Sequence, residues 1–222
     1  MSESFQNWCK KYKIELQNID SCRVCPLILI AGGCKDTQTA LQIDSLLSQG
    51  LSTRKPRLYI SGGTLSGVCA ATGKARKRSG SNVYLIGFCP RKNQDNTVSP
   101  YHVPLDTNYD EIYFTKGEDF SVEEVDAYWD FLEKDIQYPV ERALLVGAGG
   151  GALSRLEYER ALQKGAGLLL VEGSGRAADE MLMELKERKD RRIMSFPLTC
   201  KPRYLKEKIR WWFREGFRNK NR

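Results

Sequence analysis

Short apolar runs that stop at glycine alternate along the whole chain with stretches whose apolar residues recur three and four positions apart. Runs of four to five apolar residues bounded by turn signals read as strands buried on both faces, and the intervening spacing reads as amphipathic helix. Strands are predicted over 27–31, 58–60, 83–88, 111–115, 143–146, 168–171 and 193–196. The predicted helices cover 2–19, 41–50, 68–80, 119–136, 154–164 and 176–185, with a last one opening at Pro202. About seven strands alternating with helices define the fold class as α/β, a Rossmann-like doubly wound, mostly parallel sheet with helices on both faces. Residues 89–110, with Pro90, Pro100 and Pro104 among many polar residues, read as a long loop and the best candidate for a lid, in which Tyr101 and His102 could cover a base or ribose.

A chain of 222 residues is long enough for one substantial core, so a single domain is expected over 1–222: a helical lead-in (1–26), the core (27–200) and a basic aromatic terminal helix (201–222). No apolar run approaches the ~20 residues that span a bilayer, and the N-terminus lacks a signal-peptide apolar region, so no transmembrane segment and a cytoplasmic location are expected. Seven cysteines, mostly in or beside apolar runs, fit reduced buried thiols better than a disulfide framework. Cys22-x-x-Cys25 has metal spacing, but with no second pair and one histidine in the chain no metal site is expected.

The net charge of +7 is unevenly placed: 14 Lys and Arg against 4 Asp and Glu lie between Lys186 and Arg222, leaving the rest of the chain slightly acidic. Whole-chain basicity is therefore poor evidence for nucleic-acid binding by the core, and nucleic acid is not an expected partner. The Trp211-Trp212-Phe213 triplet reads first as the packing face of an amphipathic terminal helix. A membrane, nucleic-acid or dimer contact through it remains open.

The chemistry sits where strand gives way to helix. Gly32 and Gly33 end the first strand, Gly62, Gly63 and Thr64 with Gly67 the second, Gly149, Gly150 and Gly151 the fifth, and Glu172, Gly173, Ser174, Gly175 and Arg176 the sixth. Glycine turns leaving the carboxyl ends of parallel strands converge on one crevice, where bare N–H groups and helix dipoles receive phosphate. Lys35, Arg155 and Arg176 stand at or just inside helix N-termini, where a cation opposes the dipole and is better explained beside an anion. Gly147-x-Gly149-x-x-Ala152, with Glu172 twenty residues on, also matches a dinucleotide fingerprint. That motif normally belongs to the first βαβ unit, and no acid–base partner for hydride transfer is evident, so a dehydrogenase is the weaker reading.

The succession 30–36 (Ile-Ala-Gly-Gly-Cys-Lys-Asp), 58–68 (Leu-Tyr-Ile-Ser-Gly-Gly-Thr-Leu-Ser-Gly-Val), 103–108, 149–155 and 171–179 (Val-Glu-Gly-Ser-Gly-Arg-Ala-Ala-Asp) resembles the SLOG superfamily. Its nearest likeness is to the cytosolic N-terminal SLOG domain of melastatin-type TRP channels. The resemblance implies a cytosolic sensor of nucleotide-derived ligands such as ADP-ribose or cyclic ADP-ribose, with no further cofactor required. Signalling would pass through a homo-oligomer or a fused or associated effector. It implies ligand contacts at Lys35, at Gly62, Gly63 and Thr64, at Gly150, Gly151 and Ser154, and at Arg176. The same superfamily holds LOG phosphoribohydrolases, whose Pro-Gly-Gly-x-Gly-Thr-x-x-Glu motif would fall on 149–157. Gly149, Leu153 and Ser154 depart from that motif, whereas Glu157 keeps the glutamate position. Glu157 is accordingly the catalytic candidate if the chain is an N-ribosyl hydrolase, and a binding function is preferred over that alternative.

Overall fold

Seven apolar runs pair side by side into one sheet in which every ladder is parallel. The computed structural model describes residues 1–16, 25–91, 103–188 and 190–216. Its strands are β1 Leu27–Gly33, β2 Arg57–Ser61, β3 Val83–Pro90, β4 Glu111–Thr115, β5 Leu144–Gly149, β6 Gly167–Glu172 and β7 Ile193–Pro197. The helices between them are α1 Glu3–Tyr12, α2 Thr37–Gly50, α3 Gly67–Ser79, α4 Val122–Asp130, α5 Ala152–Gln163, α6 Arg176–Leu185 and α7 Pro202–Trp211. The expected α/β class is met by a sheet of order β4-β3-β2-β1-β5-β6-β7. The direction of winding reverses between β1 and β5, the switch point at which open parallel sheets hold ligands.

Both faces of the sheet are covered, because each central strand is apolar on both sides. Leu27, Leu29 and Ala31 of β1 belong to one buried cluster and Ile28 and Ile30 to the other, the alternation that a pleated strand requires. α1, α4, α5 and α6 pack on the first face, and α2, α3 and α7 on the second. α1 is tied down by Trp8, whose Nε1 donates to the Ser81 carbonyl at 2.8 Å, and by Phe5, which meets Tyr84 edge-on. α4 opens with a capping box between Ser121 and Glu124 and runs on into a π-helical turn over Phe131–Asp135.

Trp212 is fully buried and lies so close to Gly167 that a Cβ there would fall 2.6 Å from its ring. The terminal helix thus packs as the aromatic pattern predicts, except that Trp211 remains 40% exposed. The expected long loop is only partly a loop. Cys89 and Pro90 extend β3, and segment 103–110 clamps the second glycine turn: the Leu65 amide donates to Pro104, the Asp106 amide donates to Gly63, and Thr64 bridges Leu105. Tyr101, His102 and Cys22 lie outside the described residues.

Candidate functional site

A crevice of about 370 Å³ opens at the switch point, above the carboxyl ends of β1, β2 and β3 and between α3, α4 and α5. This is within the size range of small-molecule sites. One wall is polar and built of turns: Gly32, Gly33 and Cys34 after β1, Ser61, Gly62, Thr64, Ser66 and Gly67 after β2, and Ser154 on α5. The opposite wall is apolar and aromatic, from Phe88, Phe120, Val125, Tyr128 and Leu153.

The helix N-termini around it are not alike. α2 is capped by its own acid: Asp36 Oδ2 accepts from the Thr39 amide at 2.6 Å, and the Thr39 hydroxyl and then its amide hold the Asp36 carboxyl below its usual pKa. The positive end of that helix is already answered by a carboxylate. Among the described residues α3 and α5 show no N-cap side-chain hydrogen bond, with Ser66 and Gly151 at their N-cap positions. The first amides of a helix have no intrahelical acceptor, so these two ends present unanswered donors and positive dipole ends. Ser66 and Gly67, at the α3 end, and Ser154, in the first turn of α5, line the crevice.

Glu157 and Tyr128 face each other across its floor. Withdrawal of the Glu157 carboxyl from water pushes its pKa up to about 8, so near neutrality the group is mostly an uncharged acid. The Tyr128 hydroxyl tempers that rise, and among the described residues Tyr128 Oη is a buried polar atom with no partner at full hydrogen-bond geometry. A buried hydroxyl on a crevice wall with no internal partner is a ready contact for something in the crevice. Glu124, also at the wall, is committed to the fold: it accepts from Thr115 and from the Ser121 amide and hydroxyl.

Of the residues singled out by sequence, Gly32, Gly33, Gly62, Thr64, Gly67, Ser154 and Glu157 line this crevice. Lys35 is exposed beside it, and Gly63 is turned toward Gly87 and Ile112. The β5 and β6 turns are bonded to each other instead of to the crevice. The Gly149 amide donates to Ser174 Oγ at 2.7 Å, Tyr158 Oη donates to the Gly149 carbonyl, and the Gly150 amide donates to the Gly33 carbonyl at 2.6 Å. Asp179 then caps the Gly173 and Gly175 amides, each at 2.8 Å, while Glu172 points outward. Arg155, expected beside an anion, is held on the outer surface by Glu159 and by a bidentate pair with Glu184 on α6. Its partner is another helix because α5 and α6 pack side by side, which spacing along the chain does not reveal. Arg176 opens α6 with φ +53° and stands over the N-terminus of α5, where a Cβ on Gly151 would lie 2.8 Å from its Nη2.

Sequence reasoning did not single out Cys34, Ser61, Ser66, Cys69, Phe88, Phe120 or Tyr128 as site residues. Tyr128 reads in the sequence as one more apolar-face residue of a helix, and Phe120 as part of the helix that in fact begins at Val122. The one available signal was Ser66 itself, a helix-capping residue type immediately before a glycine-led helix.

Residues 25–204, most of the chain, match the family model described as SLOG in TRPM, prokaryote. The chain belongs to this SLOG family. Solved structures show the same fold in other company. The molybdenum cofactor binding protein from the phototrophic bacterium Rippkaea orientalis aligns with a TM-score of 0.54 at 19% identity, over 86% of this chain and 98% of that one. The molybdenum cofactor carrier protein of Chlamydomonas reinhardtii aligns with a TM-score of 0.56 at 14% identity, over 85% and 98%. At such identities the likeness is one of fold. No curated protein matches the sequence. Among the described residues of this SLOG domain no helix is long and apolar enough to cross a membrane, and no cluster of potential metal ligands occurs. Cys25 of the Cys-x-x-Cys pair is a buried thiol whose pKa is raised by desolvation.

Proposed function

We propose that this SLOG domain binds a phosphate-bearing nucleotide derivative of the ADP-ribose class in the switch-point crevice. The observation that carries this reading is the pairing, in one cavity, of an uncapped helix N-terminus with an aromatic wall. Phosphate is served by the amides at the start of α3 and the hydroxyls of Thr64 and Ser66. An adenine is served by Phe120 and Tyr128, because a purine gains from stacking as well as from burial. The protonated state of Glu157 fits an anionic ligand, since a carboxylate there would repel it and a carboxylic acid can donate to a ribose hydroxyl. Arg176 and Lys35 stand at the rim, where they reach the ligand only if it extends past the crevice.

The same protonation weighs against the hydrolase alternative. A glutamate that stabilises oxocarbenium character must be anionic, and Glu157 is held neutral in the range where such an enzyme would work. The test is calorimetric titration with ADP-ribose, cyclic ADP-ribose, NAD, AMP and the molybdenum cofactor of the fold neighbours, followed by chromatography of the ligand. Ser66→Asp is the decisive variant. An aspartate at that cap places its own carboxylate on the α3 amides, so it is expected to stabilise the fold by roughly 0.5–1 kcal/mol while lowering nucleotide affinity at least tenfold. A Ser66→Asp protein that binds as well as the wild type, or a wild type that takes only the molybdenum cofactor, removes the nucleotide assignment.

A further inference from the structure

At the opposite end of the strands, below the N-terminal end of β2, lies a second concavity of about 450 Å³. Four segments build it: the α2–β2 connection, the first residue of β2, the end of α3 and one face of α7. They bring six cations to one basin, Arg54, Lys55, Arg57, Arg78, Lys206 and Arg210, with no acidic residue among the described residues of its wall. None of the six is in a salt bridge with a described carboxylate.

Most surface cations need no explanation, and Arg78 suits the negative end of the α3 dipole. Arg57 is different. It is 6% exposed, and among the described residues its guanidinium, with five N–H donors, makes one hydrogen bond, at 3.4 Å to the neutral Tyr59 hydroxyl. The Tyr59 hydroxyl in turn donates a hydrogen bond to the Leu51 carbonyl and stays neutral, so no negative charge faces the arginine there. A buried charge without a counter-ion is costly, and such groups are normally paired. Lys206 shares the strain: its ammonium donates to Ser52 Oγ at 3.0 Å, and its pKa is lowered by burial and then by Arg210 and Arg57. The basin repels itself as built, and a polyanion would supply the opposing charge.

We propose that this basin is a second anion site, distinct from the crevice, and that it takes a small polyphosphorylated anion, with Arg57 at the floor and Lys206 and Arg210 of α7 as the outer clamp. A concave cluster with a buried arginine at its base favours a compact anion over an extended nucleic-acid backbone, which calls for a stripe of cations along a surface. More than one phosphoryl group is required because a single phosphate leaves most of the six charges unmet.

The test uses the full chain and inorganic tripolyphosphate, titrated by calorimetry at fixed ionic strength with inorganic phosphate and a single-stranded oligonucleotide as comparisons. Tripolyphosphate is expected to bind at least tenfold more tightly than phosphate and to raise the melting temperature. The double variant Lys206→Gln/Arg210→Gln, which alters the rim only, is expected to keep its circular dichroism and lose at least tenfold in tripolyphosphate affinity. Ser66→Asp, which blocks the crevice instead, is expected to leave that affinity intact. Absence of tripolyphosphate binding, equal binding by the rim variant, loss of binding in Ser66→Asp, or tighter binding of the oligonucleotide through the same two residues would each overturn the assignment. Arg57→Ala is not needed for the decision, so a failure of that variant to fold leaves the test whole.

Discussion

A carboxyl group that keeps its proton to about pH 8 makes both stability and binding depend on pH, with a sign that can be worked out. Glu157 titrates near 8 in the folded chain and in the ordinary carboxylate range when unfolded. Between those values the folded state therefore holds a proton that the unfolded state has released, and stability falls as pH rises through that window. Each pKa unit is worth about 1.4 kcal/mol, and the crevice stays open to water, so the loss by pH 8.5 is set at roughly 1–4 kcal/mol. Glu157→Gln is expected to match the wild type in urea denaturation near pH 4.5 and to exceed it by that amount at pH 8.5. Nucleotide affinity should fall across the same interval in the wild type and stay level in Glu157→Gln. Parallel stability curves for the two proteins would return Glu157 to an ordinary surface glutamate. Its place in the crevice was legible in the sequence from the motif position, but its protonation was not, because desolvation depends on Tyr128 and its neighbours on α4.

The terminal helix separates two adjacent tryptophans by environment. On α7, Leu205 and Ile209 point into the cluster beneath β1, β5 and β6, and Trp212 continues that face past the helix end against Gly167, while Trp211 points outward. Trp212→Ala is expected to cost about 3–5 kcal/mol, and Trp211→Ala to change stability by about 0.5 kcal/mol or less. Thermal or chemical denaturation of the two variants checks the contrast. If Trp211→Ala is the costlier change, the packing of α7 is wrong as described. The helical spacing of 204–213 predicts an amphipathic element with basic residues on its other side. Only the contact of α7 with the α2–β2 connection shows that two of those residues belong to a basin with Arg57.

Across the whole molecule the two halves of the sheet meet at the β1–β5 seam, where the two glycine turns close on one another. Gly32 has φ +138°, and a Cβ added there would fall 2.0 Å from the Ala148 carbonyl oxygen, a backbone atom that cannot step aside. Gly32→Ala is expected to destabilise the fold by roughly 3 kcal/mol or more and to lower ligand affinity with it, through strain at the position and separation of the strands. Measured stability within about 1 kcal/mol of the wild type would show that the seam is not so tightly closed. The glycines after β5 and β6 obey the same logic. They let the β5 and β6 turns interlock through Gly149 and Ser174, while Gly150 crosses the seam to the Gly33 carbonyl, so their first duty is to join neighbouring strands. The sequence marks such positions as glycine turns, and ligand contact and close backbone approach leave the same residue there.

The sequence alone determined the alternation of buried strands and amphipathic helices, the parallel sheet, the family, and the concentration of chemistry at strand ends. Those properties follow from periodicity and short-range turn chemistry, which are local. The tertiary structure decided which glycine turns face a cavity and which face each other, and that α2 is capped by Asp36 while α3 is open. It also turned Arg155 toward Glu184 and left Arg57 without a counter-ion among the described residues. Each of those outcomes rests on groups brought together from distant parts of the chain, and burial, charge pairing and void space are properties of the assembled neighbours, not of spacing along the sequence.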